Sequence, residues 1–317
     1  MDFRVAWLPL DQIDTQNLAY RVTTTEDKTS IVESVDRIGL IIPVAVKRAR
    51  DQHIIVSGYR RVDACRILNW RKIPCRILPD HLDAMQYAEM AVSENCTQRP
   101  LNLVEQGRCL RLLAEPAGDL SRATQIVKTL GLSLNKELSA KLRIVLASPD
   151  LIQSGLVLGK LSLSIVLALS DFPKEDAESL ASLFMGLPMG LNKQREVLLN
   201  LKEIAAREDK SVTDLLEENA LKVLLEDDRM DGNQKSHAIR VYCKKRRYPR
   251  MVQVEEKFYD SVRKLGLGST IQISPPPGFE GRTCTMTIRF ASLADLKNAQ
   301  RKLAETIVHP AVSNLFD

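Results

Sequence analysis

The sequence contains no run of 18 apolar residues, so it offers no candidate membrane-spanning helix. Histidine is scarce, at 4 in 317 residues, and His53, His81, His237 and His309 stand in unrelated contexts. None has a Ser or Cys partner in a recognisable motif, which leaves a hydrolase triad without support. The 6 cysteines (Cys65, Cys75, Cys96, Cys109, Cys243, Cys284) form no CxxC pair, so they read as buried or idle thiols rather than metal ligands. Charge of one sign is also limited: 45 basic against 40 acidic residues leaves a net +5, so any polyanion site must come from local clustering. The opening MDFRVAWLPLDQID has acids and a proline where a secretion signal needs a basic start and an apolar core, so a cytoplasmic protein is expected. What is present is ordinary for a folded chain, with 44% hydrophobic and 27% charged residues, and excludes a mostly disordered one. At ~150 residues per domain, two or three domains are expected.

Texture divides the chain into residues 1–100, 101–190, 191–250 and 251–317. In the first, VAVKRA (44–49) and HIIVSG (53–58) flank the polar RDQ and predict a hairpin. Ile31, Val35 and Ile38 have helical spacing closed by Gly39, and a second helix is expected from Tyr59 to Leu68. The second part is expected to be entirely helical, with a helix over Leu103–Leu113, one capped by Ser121 and one capped by Ser133. Leu130-Gly131-Leu132-Ser133 then forms the corner of a helix-turn-helix. Residues 191–250 read as a charged helical linker ending in the basic run RVYCKKRRYPR. The tail predicts helix, strand, turn PPPGFEG, strand RTCTMTIRF and a last helix opened by Ser292 and Asp295. A tail of that size makes a small core, which predicts that it dimerises.

The strongest local signal is Ser57-Gly58-Tyr59-Arg60-Arg61 at the strand-to-helix turn. Gly58 permits close backbone approach, the helix start offers N–H groups, and the arginines add fixed charge, which together suit a polyphosphate. A capped surface turn with two solvated arginines has the same pattern. Glu94-Asn95 pairs a carboxylate with an amide oxygen, a combination that can hold Mg²⁺ but also begins many solvated loops. Ser133, Asn135 and Lys136 are placed to face DNA, and Lys141 and Arg143 to touch phosphate. The run Lys244, Lys245, Arg246, Arg247 reads either as a solvated face or as a nonspecific phosphate contact.

In this order the pieces resemble the ParB family of partition proteins. SIVESVDRIGLIIPVAVKR is similar to the family's first box, IIVSGYRRVDACRILNW to the box usually written GERRxRA, and ENCTQRPLNLVEQGRCLRLL to the third box. WLPLDQI is similar to its opening strand, SPDLIQSGLVLGKLSLSIVLALSDFP to the stretch after its helix-turn-helix, and the tail to its dimerisation domain. The resemblance implies an α+β chain: a ParB/sulfiredoxin-like α/β domain over 1–100, an all-helical DNA-binding domain over 101–190, a linker over 191–250 and a small α/β dimerisation domain over 251–317. It further implies a dimeric clamp that loads on a palindromic double-stranded DNA site, binds CTP with Mg²⁺ and hydrolyses it slowly. Carried over, Gly58, Arg60 and Arg61, with Ser57, Tyr59 and Arg21 beside them, would hold the nucleotide. Glu94 and Asn95 would serve Mg²⁺ and the hydrolytic water. A nucleoid-associated location, a ParA-type Walker ATPase as partner and no membrane contact complete the expectation.

Four departures stand out. Tyr59 replaces the usual Glu of the second box, Ile42 and Leu103 replace Gln and Pro, and Gln98 replaces an Arg. No basic arm precedes the strand-like sequence at residue 4, so an ATPase partner is expected to meet another surface. A ParB-like transcriptional regulator without nucleotide turnover is the alternative. A sulfiredoxin-like or small-molecule kinase enzyme is the third reading, and it leaves the helix-turn-helix and the tail without a role.

Overall fold

The computed structural model describes residues 4–24, 29–279, 281 and 283–315. Glu280 and Arg282, in the expected turn and second strand of the tail, lie outside the described residues. The chain divides into two units, Met1–Gly186 and Leu187–Asp317.

The first unit opens with β1 (Arg4–Pro9) and β2 (Ile13–Asp14), then α1 (Thr29–Ile38), β3 (Val44–Ala49), β4 (Gln52–Ser57), α2 (Tyr59–Ile67), β5 (Lys72–Ile77) and α3 (Ala84–Gln98). The strands form one sheet in the order β1-β5-β3-β4-β2. The expected hairpin is present: β3 and β4 pair antiparallel, with Ala49 opposite Gln52. Gly39 ends α1 with φ +76° and donates to the Val35 carbonyl at 2.9 Å, the left-handed C-terminal stop that glycine favours. Alternation along β3 gives the sheet two buried faces. Val44 and Val46 pack with Val35, Val62 and Cys65 of α1 and α2, whereas Ala45 packs with Leu82, Tyr87 and Ala91 at α3.

Six helices follow: α4 (Leu103–Ala117), α5 (Leu120–Thr129), α6 (Lys136–Ala147), α7 (Asp150–Val157), α8 (Leu163–Leu169) and α9 (Lys174–Gly186). Ala88 and Val92 of α3 and Val22 of the preceding loop are buried with Cys109, Leu113, Val127 and Leu142. Helix α3 thus lends one face to the sheet and another to α4–α6, each buried Val or Leu contributing about 1.5–3 kcal/mol. The helix-turn-helix forms as expected, with Gly131 at φ +93° in its corner. Its caps differ from expectation. Asp119, not Ser121, accepts from Arg122 N–H at 3.0 Å, and Asn135, not Ser133, accepts from Leu138 N–H at 2.7 Å. In both cases an Asp or Asn two residues from the expected serine takes the cap, and both residue types are strong N-caps.

The second unit contains α10 (Leu191–Glu208), α11 (Val212–Glu217), α12 (Asn219–Glu226), α13 (Gly232–Arg247) and α14 (Pro249–Lys264), then β6 (Ile271–Ser274), β7 (Thr285–Ile288) and α15 (Leu293–Ile307). The stretch read as a charged linker buries Val197, Leu201 and Ile204 of α10, Leu215, Leu221, and Ile239 and Cys243 of α13, so it has an interior of its own. In the tail, Phe258, Leu265, Ile271, Ile273 and Ala299 form a small core. Of the alternating face Cys284, Met286, Ile288 and Phe290, Cys284 and Ile288 pack on that core while Met286 and Phe290 are exposed.

Candidate functional site

Strand β4 delivers the chain to Gly58, whose φ of 103° and ψ of 23° make the turn into α2. A Cβ there would lie 3.0 Å from Nε and Nη2 of Arg61, so a side chain at this position would displace the guanidinium. Arg61 folds back over its own helix start. Its Nη1 donates to the carbonyls of Ile42 (2.9 Å) and Pro43 (3.0 Å), and its Nη2 pairs with Glu94 of α3. Both side chains are largely buried. Asn95 donates through Nδ2 to the Ala91 carbonyl at 2.7 Å, which leaves its amide oxygen as the end that can coordinate. Arg60 is half-buried on the first turn and engaged with neighbouring groups. Ser57 is buried at the end of β4. A cavity of about 630 Å³, within the ~300–1,000 Å³ range of small-molecule sites, is lined by Ile42, Pro43, Arg76, Ser93, Glu94 and Gln98.

The structure therefore brings Gly58, Arg61, Glu94 and Asn95 to one place, and puts Tyr59 and Arg21 elsewhere. Tyr59 is buried; its hydroxyl donates to the Ile55 carbonyl at 2.8 Å and accepts from Tyr20 N–H at 3.3 Å. Burial raises its pKa above the ordinary tyrosine value. The spacing Tyr59, Val62, Cys65 faces the sheet, so Tyr59 is a core residue that ties down the loop carrying Arg21. Arg21 itself lines a separate cleft with Arg108 and Arg111. Burial pushes the Cys65 thiol up to about 11, which keeps it protonated and unreactive at neutral pH.

An ion pair between half-buried Arg99 and fully buried Glu105 went unseen in the sequence. The two groups meet in a fork at 2.8 and 2.6 Å, and Glu105 also accepts from the N–H groups of Thr24 (2.9 Å) and Asn102 (3.2 Å). Burial opposes the charge on Glu105, but Arg99 and the two N–H groups outweigh it and hold the carboxyl below its ordinary range. The signal was there: Asn102-x-x-Glu105 is a capping box at the start of α4. A second missed cluster is Lys47, which donates to Tyr20 Oη at 2.9 Å and lies 4.8 and 5.0 Å from the ring centres of Tyr20 and Tyr87.

On the helix-turn-helix, Ser139, Leu142 and Val145 of α6 point inward. Ser133, Lys136 and Arg143 are exposed, with Ala140 and Ile144 between them on the outer face. Lys141 is half-exposed and pairs with Glu137 at 2.5 Å, and the Asn135 oxygen is taken up by its cap. The run on α13 is internally neutralised. Arg246 pairs with Glu208 and Glu218, Arg247 with Glu203 and Asn200, Lys244 with Glu255, and Lys245 with Glu256. Arg246 and Arg247 are mostly buried, so they brace the helices of the second unit, and Lys244 and Lys245 are the more accessible pair.

Residues 3–96 match the ParB N-terminal domain family. The match is confined to this N-terminal stretch and spans less than half of the chain. Over 157 residues the chain is 26% identical to a nucleoid occlusion protein of Lysinibacillus sphaericus, covering 49% of this chain and 51% of that one. Over 146 residues it is 29% identical to the chromosome-partitioning protein ParB of Caulobacter vibrioides, covering 45% and 46%. The chain thus spans about half the length of these curated relatives. The C-terminally truncated ParB of Caulobacter crescentus complexed with CTP-γ-S aligns over 57% of this chain and 99% of that one at 24% identity and a TM-score of 0.27. The same protein complexed to the centromeric parS site aligns over 60% and 96% at 21% identity and 0.34. No described helix is long and apolar enough to cross a membrane.

Proposed function

We propose that the chain is a DNA-binding partition protein that loads at a palindromic centromere-like site and acts as a CTP-gated dimeric clamp. The observation that carries this reading is the meeting of Gly58, Arg61 and Glu94 within a ParB N-terminal domain. The residues fit a metal-bound triphosphate. Gly58 puts no side chain of its own over the α2 N-terminus and leaves that space to the Arg61 guanidinium, the arginines supply fixed charge, and Glu94 with the Asn95 amide oxygen offers the hard oxygen donors Mg²⁺ takes. Bound CTP would supply a phosphoryl group transferable to water, and Mg²⁺ would neutralise its charge.

The work of this chain's own residues is positioning. Arg61 would reach a phosphate only by leaving Glu94, which would free that carboxylate to hold the metal. No histidine or lysine among the described residues lies beside Glu94 in the cavity to act as a strong base, so turnover would be slow and serve as a timer. Arg21 is left out of this set because it lines another cleft. DNA is assigned to the outer face of α6, with Lys136 and Arg143 reaching phosphate or base edges and Ser133 at its approach. The dimer is assigned to the tail, which exposes Phe290, Leu293, Ile307 and Val308. A nucleoid location and a ParA-type ATPase partner belong to the same reading.

The test is nucleotide titration of Arg61→Gln. Loss of CTP affinity with the DNA site still recognised supports the cradle, and unchanged affinity overturns it. A regulator that binds without turnover is the second reading, favoured by Tyr59 sitting in the core and bringing no carboxylate to the site. Measured CTP hydrolysis would exclude it.

A further inference from the structure

The loop that follows β2 is held by Tyr20 and Val22, both turned into the interior. Arg21, between them, donates its N–H to the Leu18 carbonyl at 3.0 Å in a turn and lines a cleft of about 840 Å³. Arg108 and Arg111 reach the same cleft from α4, where Val104, Arg108 and Arg111 at i, i+4 and i+7 share one helix face. Val157 and Leu158 at the end of α7 supply an apolar wall, and Leu158 is 66% exposed.

Three arginines on a concave surface repel one another, and the described residues contain no ion pair to any of them. Arg108 is half-buried and spends Nη1 on the Thr23 carbonyl at 2.9 Å. Burial and the charges of Arg21 and Arg111 lower its pKa, and the carboxylates of Glu105 and of Asp150 on the rim offset only part of that effect. An anion placed among the guanidinium groups would relieve it, because arginine forks match phosphate oxygens. The apolar wall suits the body of an organic molecule, and the volume is that of a small-molecule site rather than a duplex groove.

We infer that Arg21, Arg108 and Arg111 form a second anion site, distinct from the Gly58–Arg61 turn, that takes a small phosphorylated organic molecule. The cleft is built from the N-terminal loop and from α4 and α7, so its ligand ties the ParB N-terminal domain to the helices that carry the helix-turn-helix. The inference does not depend on the CTP reading.

The experiment is calorimetric titration of the full chain with inorganic pyrophosphate at constant ionic strength, on the wild type, Arg61→Gln, Arg111→Gln and Arg108→Gln/Arg111→Gln. The expected result is saturable binding to the wild type and Arg61→Gln, weakened roughly tenfold or more in the double variant. If the double variant fails to fold, the exposed Arg111→Gln alone is expected to weaken binding several-fold. Equal affinity in the Arg111 variants, or loss confined to Arg61→Gln, overturns the site. A parallel arm measures the salt dependence of DNA binding without pyrophosphate. If the Arg111 variants lower that slope and no variant binds pyrophosphate saturably, the arginines serve the DNA backbone and the proposal falls.

Discussion

Arg61 and Glu94 form an ion pair that joins the first turn of α2 to the C-terminal part of α3, and the same guanidinium holds the Ile42 and Pro43 carbonyls. One side chain thus links the loop before β3, the Gly58 turn and the helix shared by both cores of the first unit. Glu94→Gln removes the charge without changing shape. It should cost about 1–2 kcal/mol of stability, as a partly buried pair implies, and should abolish the Mg²⁺ dependence of nucleotide binding. Denaturant melts and titrations with and without Mg²⁺ check both effects; a Mg²⁺ dependence equal to wild type would remove Glu94 from the metal role.

Tyr59 is expected to matter for folding rather than for nucleotide contact. Tyr59→Phe deletes the hydroxyl that meets Ile55 and Tyr20 and should cost about 1 kcal/mol, with CTP affinity nearly unchanged. Tyr59→Glu, which restores the residue usual in the box, puts a carboxylate in the core and should destabilise far more. Thermal midpoints alongside nucleotide titration separate the two roles.

The pair between half-buried Arg99 and buried Glu105 makes an acid-sensitive joint between α3 and α4. Glu105 is held below its ordinary value of 4.5 in the folded chain. Its contribution is therefore fully present above that value and is lost as pH falls through the lower folded value. Glu105→Gln should cost about 2–4 kcal/mol at neutral pH and should flatten the fall in stability between pH 5 and 3. Denaturant midpoints across that range decide it; equal acid slopes in both proteins would contradict the assignment.

For DNA, Lys136→Ala and Arg143→Ala should each lower the salt slope of binding by about 1. Lys245→Ala should leave it unchanged, because Lys245 is already paired with Glu256. Fluorescence anisotropy across a salt series reads this directly. A large effect at Lys245 with none at Arg143 would reverse the assignment of the two surfaces.

These cases show what could be read from the residues. The Gly58 turn, the hairpin over 44–57 and the Gly131 corner were legible because glycine and β-branched runs act locally. Tyr59 was grouped with the nucleotide residues because Gly58, Arg60 and Arg61, its neighbours in sequence, are the proposed phosphate cradle, although its three-residue spacing to Val62 and Cys65 pointed inward. The acidic partners of Arg246 lie 28 and 38 residues away in sequence, on other helices, so no local pattern could reveal that the basic run is neutralised. The N-caps failed for a smaller reason: Asp119 competes with Ser121 and Asn135 with Ser133, each pair two residues apart, and periodicity does not choose between them.

The most direct measurement is calorimetric titration of the purified chain with CTP, and separately with ATP, in Mg²⁺ and in the presence of its DNA. A CTP-gated clamp gives saturable CTP binding with none for ATP, lost in Arg61→Gln. Preference for ATP, or no binding of either nucleotide with DNA bound, would contradict it.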